Sequence, residues 1–187
     1  MASSTLPQLV VIEGVDGVGK TTLAERLKKE YGYRYIYPVP HPFDLIRKEI
    51  EILNDVEARF WFYLAGNITL QQELRKILAS GTRVVLDRYV YSTMASHRAK
   101  GSSVDCIQLS KVPFIAPDLA ILLTCAPEVR NKRILGRKLE RQEYVDREGS
   151  ILNATERFLR EYPFKIIDTT NLTEEEVFAK AEQLLLD

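Results

Sequence analysis

The stretch Gly14-Val15-Asp16-Gly17-Val18-Gly19-Lys20-Thr21 decides how this chain is read. It matches G-x-x-x-x-G-K-[ST] at every defined position. A short apolar run, Leu9–Glu13, precedes it, and a segment over 19–30, followed by Tyr31, carries Leu23, Ala24, Leu27 and Tyr31 on one helical face. Strand, glycine-rich turn and helix in that order form a unit that holds polyphosphate. Gly14, Gly17 and Gly19 let the backbone turn inward, so that its N–H groups point at phosphate oxygens. Val15, Asp16, Val18 and Thr22 belong to the same cradle. The helix adds its positive N-terminal end. Lys20 is placed to neutralise the β and γ phosphates, and the Thr21 hydroxyl to ligate Mg²⁺. The expected donor is ATP, because Asn131-Lys132-Arg133-Ile134 lacks the final acid of the guanine-reading N-K-x-D.

Working outward, five apolar and often β-branched runs read as strands: Leu9–Glu13, Tyr33–Tyr37, Arg83–Asp87, Leu119–Thr124 and Phe164–Asp168. Nearly continuous apolar character marks strands covered on both faces, as in a parallel sheet. Helical patterns lie over 19–30, 55–79 and 173–186, the last opening with the capping box Thr173/Glu176. Alternation of strand and helix predicts a three-layer α/β/α sandwich on a five-stranded parallel sheet, of the P-loop nucleoside triphosphate hydrolase type. The absence of repeats and linkers predicts one domain over residues 1–187, with Pro38, Pro40 and Pro42 in an extended or looped segment.

Composition limits the classes of function. Hydrophobic residues make up 45% of the 187, and 26 basic residues balance 26 acidic ones. That excludes a disordered chain and argues against a broadly basic nucleic-acid binder. Cys106 and Cys125 form no CxxC pair, so neither a disulfide framework nor a structural zinc site is expected. Residues 1–8 do not resemble a signal peptide, and Leu9–Ile12 is too short to cross a bilayer, so a cytoplasmic, membrane-free protein is expected.

Two further segments carry chemistry. Asp87-Arg88-Tyr89 closes the third strand. Ligands of open parallel sheets gather at the carboxyl ends of the strands, which would put Asp87 beside the loop and its Mg²⁺, and Arg88 beside an incoming phosphate. Between 130 and 147 lie Arg130, Lys132, Arg133, Arg137, Lys138, Arg141 and Arg147 among few apolar residues. This stretch is expected to be largely exposed and to act as a lid, whose guanidinium groups stabilise transferring phosphoryl charge and whose closure excludes water.

At this point the chain resembles the thymidylate kinase family of nucleoside monophosphate kinases over nearly its whole length. The anchors are Glu13-Gly-Val-Asp16-Gly-Val-Gly-Lys20-Thr-Thr22, Asp87-Arg88-Tyr89 with Ser92 and Ala95, and Pro117-Asp118-Leu119. Leu139-Glu140-Arg141 is similar to the lid motif, and Ile167-Asp168 with the closing helix to the C-terminal end. The resemblance implies ATP- and Mg²⁺-dependent phosphorylation of a nucleoside monophosphate, dTMP to dTDP, by a homodimer. It implies that Asp16 meets the acceptor's 3′-hydroxyl. Because Gly17 stands beside Asp16, it also implies that the catalytic charge comes from the lid, from Arg137 and Arg141 with Arg133 beside them. Lys20, Asp87 and Arg88 complete the implied catalytic set.

The acceptor side departs from the family pattern. The aromatic that stacks on the base falls on Tyr63, while the arginine four residues later falls on Asn67, either a base-bonding amide or a surface one. The arginine expected after the second strand is missing until Arg47. Beyond Ser92, an aromatic and a Gln or Thr are replaced by Ser96 and His97, the latter reading as an exposed helix residue. These departures keep two alternatives open: a related kinase with another pyrimidine nucleotide or nucleoside as acceptor, and a nucleotide-binding regulatory protein without phosphotransfer.

Overall fold

The computed structural model describes residues 6–37, 39–53, 55–103, 111–136 and 142–187, with backbone only for 142–148. Arg137, Arg141 and the segment Leu139-Glu140-Arg141 lie outside the described residues. The elements alternate as expected: β1 (Leu9–Glu13), α1 (Lys20–Tyr31), β2 (Arg34–Ile36), α2 (Phe43–Ile52), α3 (Val56–Ala79), β3 (Val84–Asp87), α4 (Val90–Ala99), β4 (Leu119–Thr124), α5 (Pro127–Leu135), α6 (Gln142–Leu159), β5 (Lys165–Asp168) and α7 (Glu174–Leu186). All five strands are parallel in the order β2-β3-β1-β4-β5.

The alternation of side chains along the strands builds two cores. Val10, Ile12, Val85, Ile121 and Leu123 point to the layer of α1 and α7, where they meet Leu23, Leu27, Ala181 and Leu185. Leu9, Val11, Val84 and Leu86 point the other way, onto Phe60, Leu64, Leu70 and Leu74 of α3. Both faces are therefore dry, which is why these strands read as continuous apolar runs. At the C-terminal end, Thr173 and Glu176 form the expected capping box at the start of α7.

The register places the site. Ile12 pairs with Asp87 on one side and with Ile121 on the other, so the loop leaving β1 rises next to the carboxyl end of β3. Two features depart from the sequence reading. Helix α2 follows directly after the proline segment, and none of its residues is fully buried. It leans on α3 through Phe43, whose ring lies 5.5 Å from that of Phe62. The second correction concerns the basic stretch: Arg130 is only 1% exposed, not part of a solvated face. Its aliphatic stem packs under Gly17, and its guanidinium reaches the side-chain oxygens of Asn131 (3.3 Å) and Asn153 (3.0 Å).

Candidate active site

The loop between β1 and α1 needs its glycines. Gly14, Gly17 and Gly19 have φ of 142°, 84° and 101°, which L side chains rarely adopt. A Cβ on Gly14 would also collide with the Leu123 carbonyl. The resulting turn directs α1 so that Lys20 and Thr21 open its first turn inside the site. Lys20 is buried, and its Nζ donates to the Val15 carbonyl at 2.7 Å. Burial, and then the nearby Arg88 charge, push its pKa down to about 8.

Opposite Lys20 stands Asp87, 3% exposed at the end of β3. Its Oδ2 accepts from the Thr21 hydroxyl at 2.6 Å and from the Tyr35 hydroxyl at 3.2 Å. Its Oδ1 is buried and has no hydrogen-bond partner. A carboxylate oxygen left unpaired beside a threonine hydroxyl fits a divalent cation. Among the described residues no group of three or more metal-type side chains occurs. Mg²⁺ is commonly held by one or two protein ligands plus nucleotide phosphates and water, and Asp87 with Thr21 offers such a pair.

Arg88 holds the middle of the site. It takes the left-handed conformation, with φ 78°, while its backbone N–H donates to the Ile12 carbonyl at 2.9 Å. Its guanidinium donates to the Gly14 carbonyl at 2.9 Å, to Ser92 Oγ at 3.3 Å and to the Asp16 carboxylate. Beneath it, Glu13 is fully buried and receives the backbone N–H groups of Tyr89 (2.8 Å) and Ser92 (3.2 Å) and the Ser92 hydroxyl. Glu13 thus pins the start of α4 to the end of β1. Burial raises its pKa to about 7, against the opposing pull of these donors and of Arg88.

Three cavities meet at the loop. A cavity of about 620 Å³ lies on the α1–α7 side, lined by Gly17, Val18, Gly19, Thr22, Arg133 and Phe178 among others. There Arg133 donates to the hydroxyl (2.9 Å) and carbonyl (2.8 Å) of Thr169. A smaller one of about 220 Å³ is walled by Asp16, Lys20, Thr21, Asp87 and Arg88. The third, about 430 Å³, lies toward α2, α3, α4 and α6, and Asp16, Tyr63, Arg88, Ser92 and Ser96 line it. Its wall also carries Arg47, Arg59 and Lys100 against the acids Asp16 and Glu51, a positive balance that suits an incoming phosphate. Arg47 donates to Glu51 at 2.7 Å and stacks 5.2 Å over the Tyr37 ring, while the Tyr63 hydroxyl also bonds Glu51.

Most of the candidate residues that are described line these cavities, Arg137 and Arg141 lying outside the described residues, and two corrections concern the third cavity. Tyr63 lines it, but Asn67 does not. Asn67 is neither a surface amide nor a wall of the cavity: it is 2% exposed, and its Nδ2 donates to the Tyr63 carbonyl (2.8 Å) and to Thr93 Oγ1 (3.1 Å). An amide is short enough to be absorbed between α3 and α4. His97, expected to be exposed, is 3% exposed and does line the cavity. Packing of α4 against α3 buries it, its ring lying 5.6 Å from Phe60 and 5.9 Å from Tyr63. Sequence reasoning missed Arg59, although it stands one helical turn before Tyr63 on the same face.

Comparison with known proteins agrees with this geometry. A family model described as thymidylate kinase matches residues 12–180. A probable thymidylate kinase of Methanococcus maripaludis is 30% identical over 198 residues, covering 96% of each chain. One from Archaeoglobus fulgidus is 34% identical over 148 residues, covering 74% of this chain and 75% of its own. A solved thymidylate kinase from Candida albicans, whose report describes broad substrate specificity, shares the fold with a TM-score of 0.79 at 23% identity, covering 96% of this chain and 91% of its own. With a family model spanning most of its length and relatives aligned nearly end to end, the chain belongs to the thymidylate kinase family.

Proposed function

We propose that this protein transfers the γ-phosphoryl group of ATP to dTMP, giving dTDP and ADP, within one kinase domain over residues 1–187. The observation that carries this reading is the position of Arg88, which lines both the loop cavity and the neighbouring positive cavity, where a donor and an acceptor phosphate would each meet its guanidinium. The donor's polyphosphate lies in the cradle of Gly14 to Thr22, with its base toward the Arg133 side. Lys20 leaves the Val15 carbonyl for the β and γ oxygens. Thr21 and Asp87 hold Mg²⁺, which when bound screens the phosphate charge. On the acceptor side Tyr63 stacks on the base, Asp16 takes the sugar hydroxyl, Ser92 and Ser96 line the wall, and Arg88 and Arg47 grip the phosphate. The acceptor phosphate is already ionised, so little general-base work is needed, and rate comes from alignment and charge neutralisation. Arg137 and Arg141 of the lid near 130–147 supply further positive charge to the transferring group.

The test is an ADP-release assay across dTMP, dUMP, dCMP, UMP and deoxynucleosides, with and without Mg²⁺. Fastest turnover with dTMP supports the reading. Preference for another acceptor reassigns the substrate, and ATP binding without turnover of any acceptor removes the enzymatic role. We further propose a cytoplasmic homodimer. Trp61 and Ile68, two turns apart on α3, are 51% and 45% exposed on a face turned away from Tyr63. Sedimentation at micromolar concentration tests the stoichiometry. Among the described residues no helix is long and apolar enough to cross a membrane.

A further inference from the structure

The acceptor cavity contains a polar atom that the account above leaves unused. His97 lies on α4, 3% exposed, with its ring on the cavity wall beside Tyr63. Its Nδ1 is 2.7 Å from the Thr93 carbonyl oxygen. A carbonyl only accepts, so Nδ1 carries the proton, and in a neutral imidazole the other nitrogen is then a bare acceptor. Burial keeps the ring neutral by lowering its pKa to about 4, with Lys100 and Arg59 acting in the same direction. That bare nitrogen, Nε2, is buried and has no hydrogen-bond partner. A buried acceptor without a donor is a cost to the free protein that a suitable ligand removes. Asn67 Oδ1 is likewise unpaired, but Asn67 is not on the cavity wall, so among the described residues His97 carries the unpartnered buried acceptor of that wall.

We propose that His97 is the residue that reads the acceptor's base, with Nε2 accepting a hydrogen bond from the N3–H of a pyrimidine-2,4-dione stacked on Tyr63. The inference deepens, and rests on, the reading of the acceptor as dTMP. In a thymine or uracil nucleotide N3–H is the only ring N–H donor. Cytosine presents a bare N3 instead, whose lone pair would face the lone pair of Nε2. The base class is thereby set by a neutral acceptor fixed in its tautomer. The bond from Nδ1 to Thr93 prevents the imidazole from adapting to the wrong base without losing that bond.

The experiment compares dTMP with 3-methylthymidine 5′-monophosphate, which lacks the N3 proton, in the wild-type protein, His97→Leu and His97→Gln. Binding of an ATP analogue reports on folding in each. The wild type is expected to prefer dTMP at least about a hundredfold in kcat/KM, as expected where a hydrogen-bonding site loses its partner. His97→Leu lowers kcat/KM for dTMP about ten- to a hundredfold, mainly through KM, and brings the preference toward one. His97→Gln, whose side-chain oxygen can accept, retains part of the preference. Equal loss of both substrates in His97→Leu, with the preference intact, overturns the proposal, since that is what a packing role gives. So does equal use of the two nucleotides by the wild type, an arm that needs no variant to fold. If the wild type does not phosphorylate dTMP at all, the acceptor assignment falls and this inference with it, whereas turnover of dTMP with indifference to N3 methylation sinks only the role of His97.

Discussion

Glu13→Gln weighs the electrostatics buried beneath the site. Glu13 is fully buried, and three donors from Tyr89 and Ser92 surround its carboxylate. Its pKa nevertheless stands at about 7, against an ordinary 4.5, because desolvation outweighs those donors and the charge of Arg88. A folded-state pKa raised in this way means that the native protein holds the proton more tightly than the unfolded chain. The associated stability is complete below about pH 4.5 and is lost as pH rises through about 7. At about 1.4 kcal/mol per pH unit, the loss across that window is roughly 3 kcal/mol. Glutamine keeps the shape, stays neutral and removes this one titration. Urea unfolding of both proteins at pH 5, 6, 7 and 8 isolates it, since every other group titrates alike in the two. The variant should gain on the wild type by roughly 2–3 kcal/mol between pH 5 and pH 8, on the order of the shift itself. A stability difference independent of pH would refute the reasoning: it would mean that the donors and Arg88 hold Glu13 ionised as easily inside the protein as outside it.

Lys20 binds phosphate only as the ammonium, and its pKa is lowered to about 8, so affinity for an ATP analogue should hold from pH 7 to 8 and then fall by up to about tenfold per pH unit. Titration calorimetry at pH 7, 8 and 9 checks this, and Lys20→Ala should remove the dependence. Asp87→Asn should raise the Mg²⁺ concentration for half-maximal activity by about ten- to a hundredfold while leaving nucleotide binding in EDTA little changed. Gly14→Ala places a Cβ at φ 142° against the Leu123 carbonyl and should cost about 3 kcal/mol or more, read as a lowered thermal midpoint.

How much of this was legible in the sequence follows from what each signal depends on. The inner strands could be read because both sheet faces are covered, so Leu9–Glu13 and Leu119–Thr124 are almost wholly apolar. At the sheet edge, β2 keeps only Arg34–Ile36 of the expected Tyr33–Tyr37, since it has a single partner strand. The loop and Asp87 could be read because they need particular residue types, glycine for positive φ and a carboxylate beside a hydroxyl. Helix α2 was not read although its sequence is strongly amphipathic, because the prolines at 38, 40 and 42 marked the chain entering it as extended or looped. Arg130 and His97 were misplaced because a polar residue on a helix is assigned to solvent by default, whereas Asn67 was expected at the base; each instead meets a partner from elsewhere in the chain, Asn153, the ring of Phe60 or Thr93, that only the packed helices bring near. Helix spacing put Tyr63 and Asn67 on one face correctly, but it could not say that α4 would close over the second and leave the first facing the cavity.

These misplacements bear on how the site selects its ligands. Among the described residues, three of the buried polar groups that line the loop and the acceptor cavity stand out, Asp87 Oδ1 and His97 Nε2 having no hydrogen-bond partner and Lys20 only a neutral carbonyl, and each is of a different kind. Lys20 is a cation resting on a neutral carbonyl, Asp87 Oδ1 is an anionic oxygen with no partner, and His97 Nε2 is a neutral acceptor with none. Each is costly to leave so, by about 1–3 kcal/mol. A phosphate would answer the first, a divalent cation the second, and a ring N–H the third. Replacing any one of them with an apolar residue would ease the free protein and remove one demand on the ligand. In the complex proposed above, a metal–triphosphate and a base that donates at its ring together answer all three. Discrimination in this site therefore comes from the cost of leaving specific atoms unpaired, more than from shape, and the cost is already present in the empty fold.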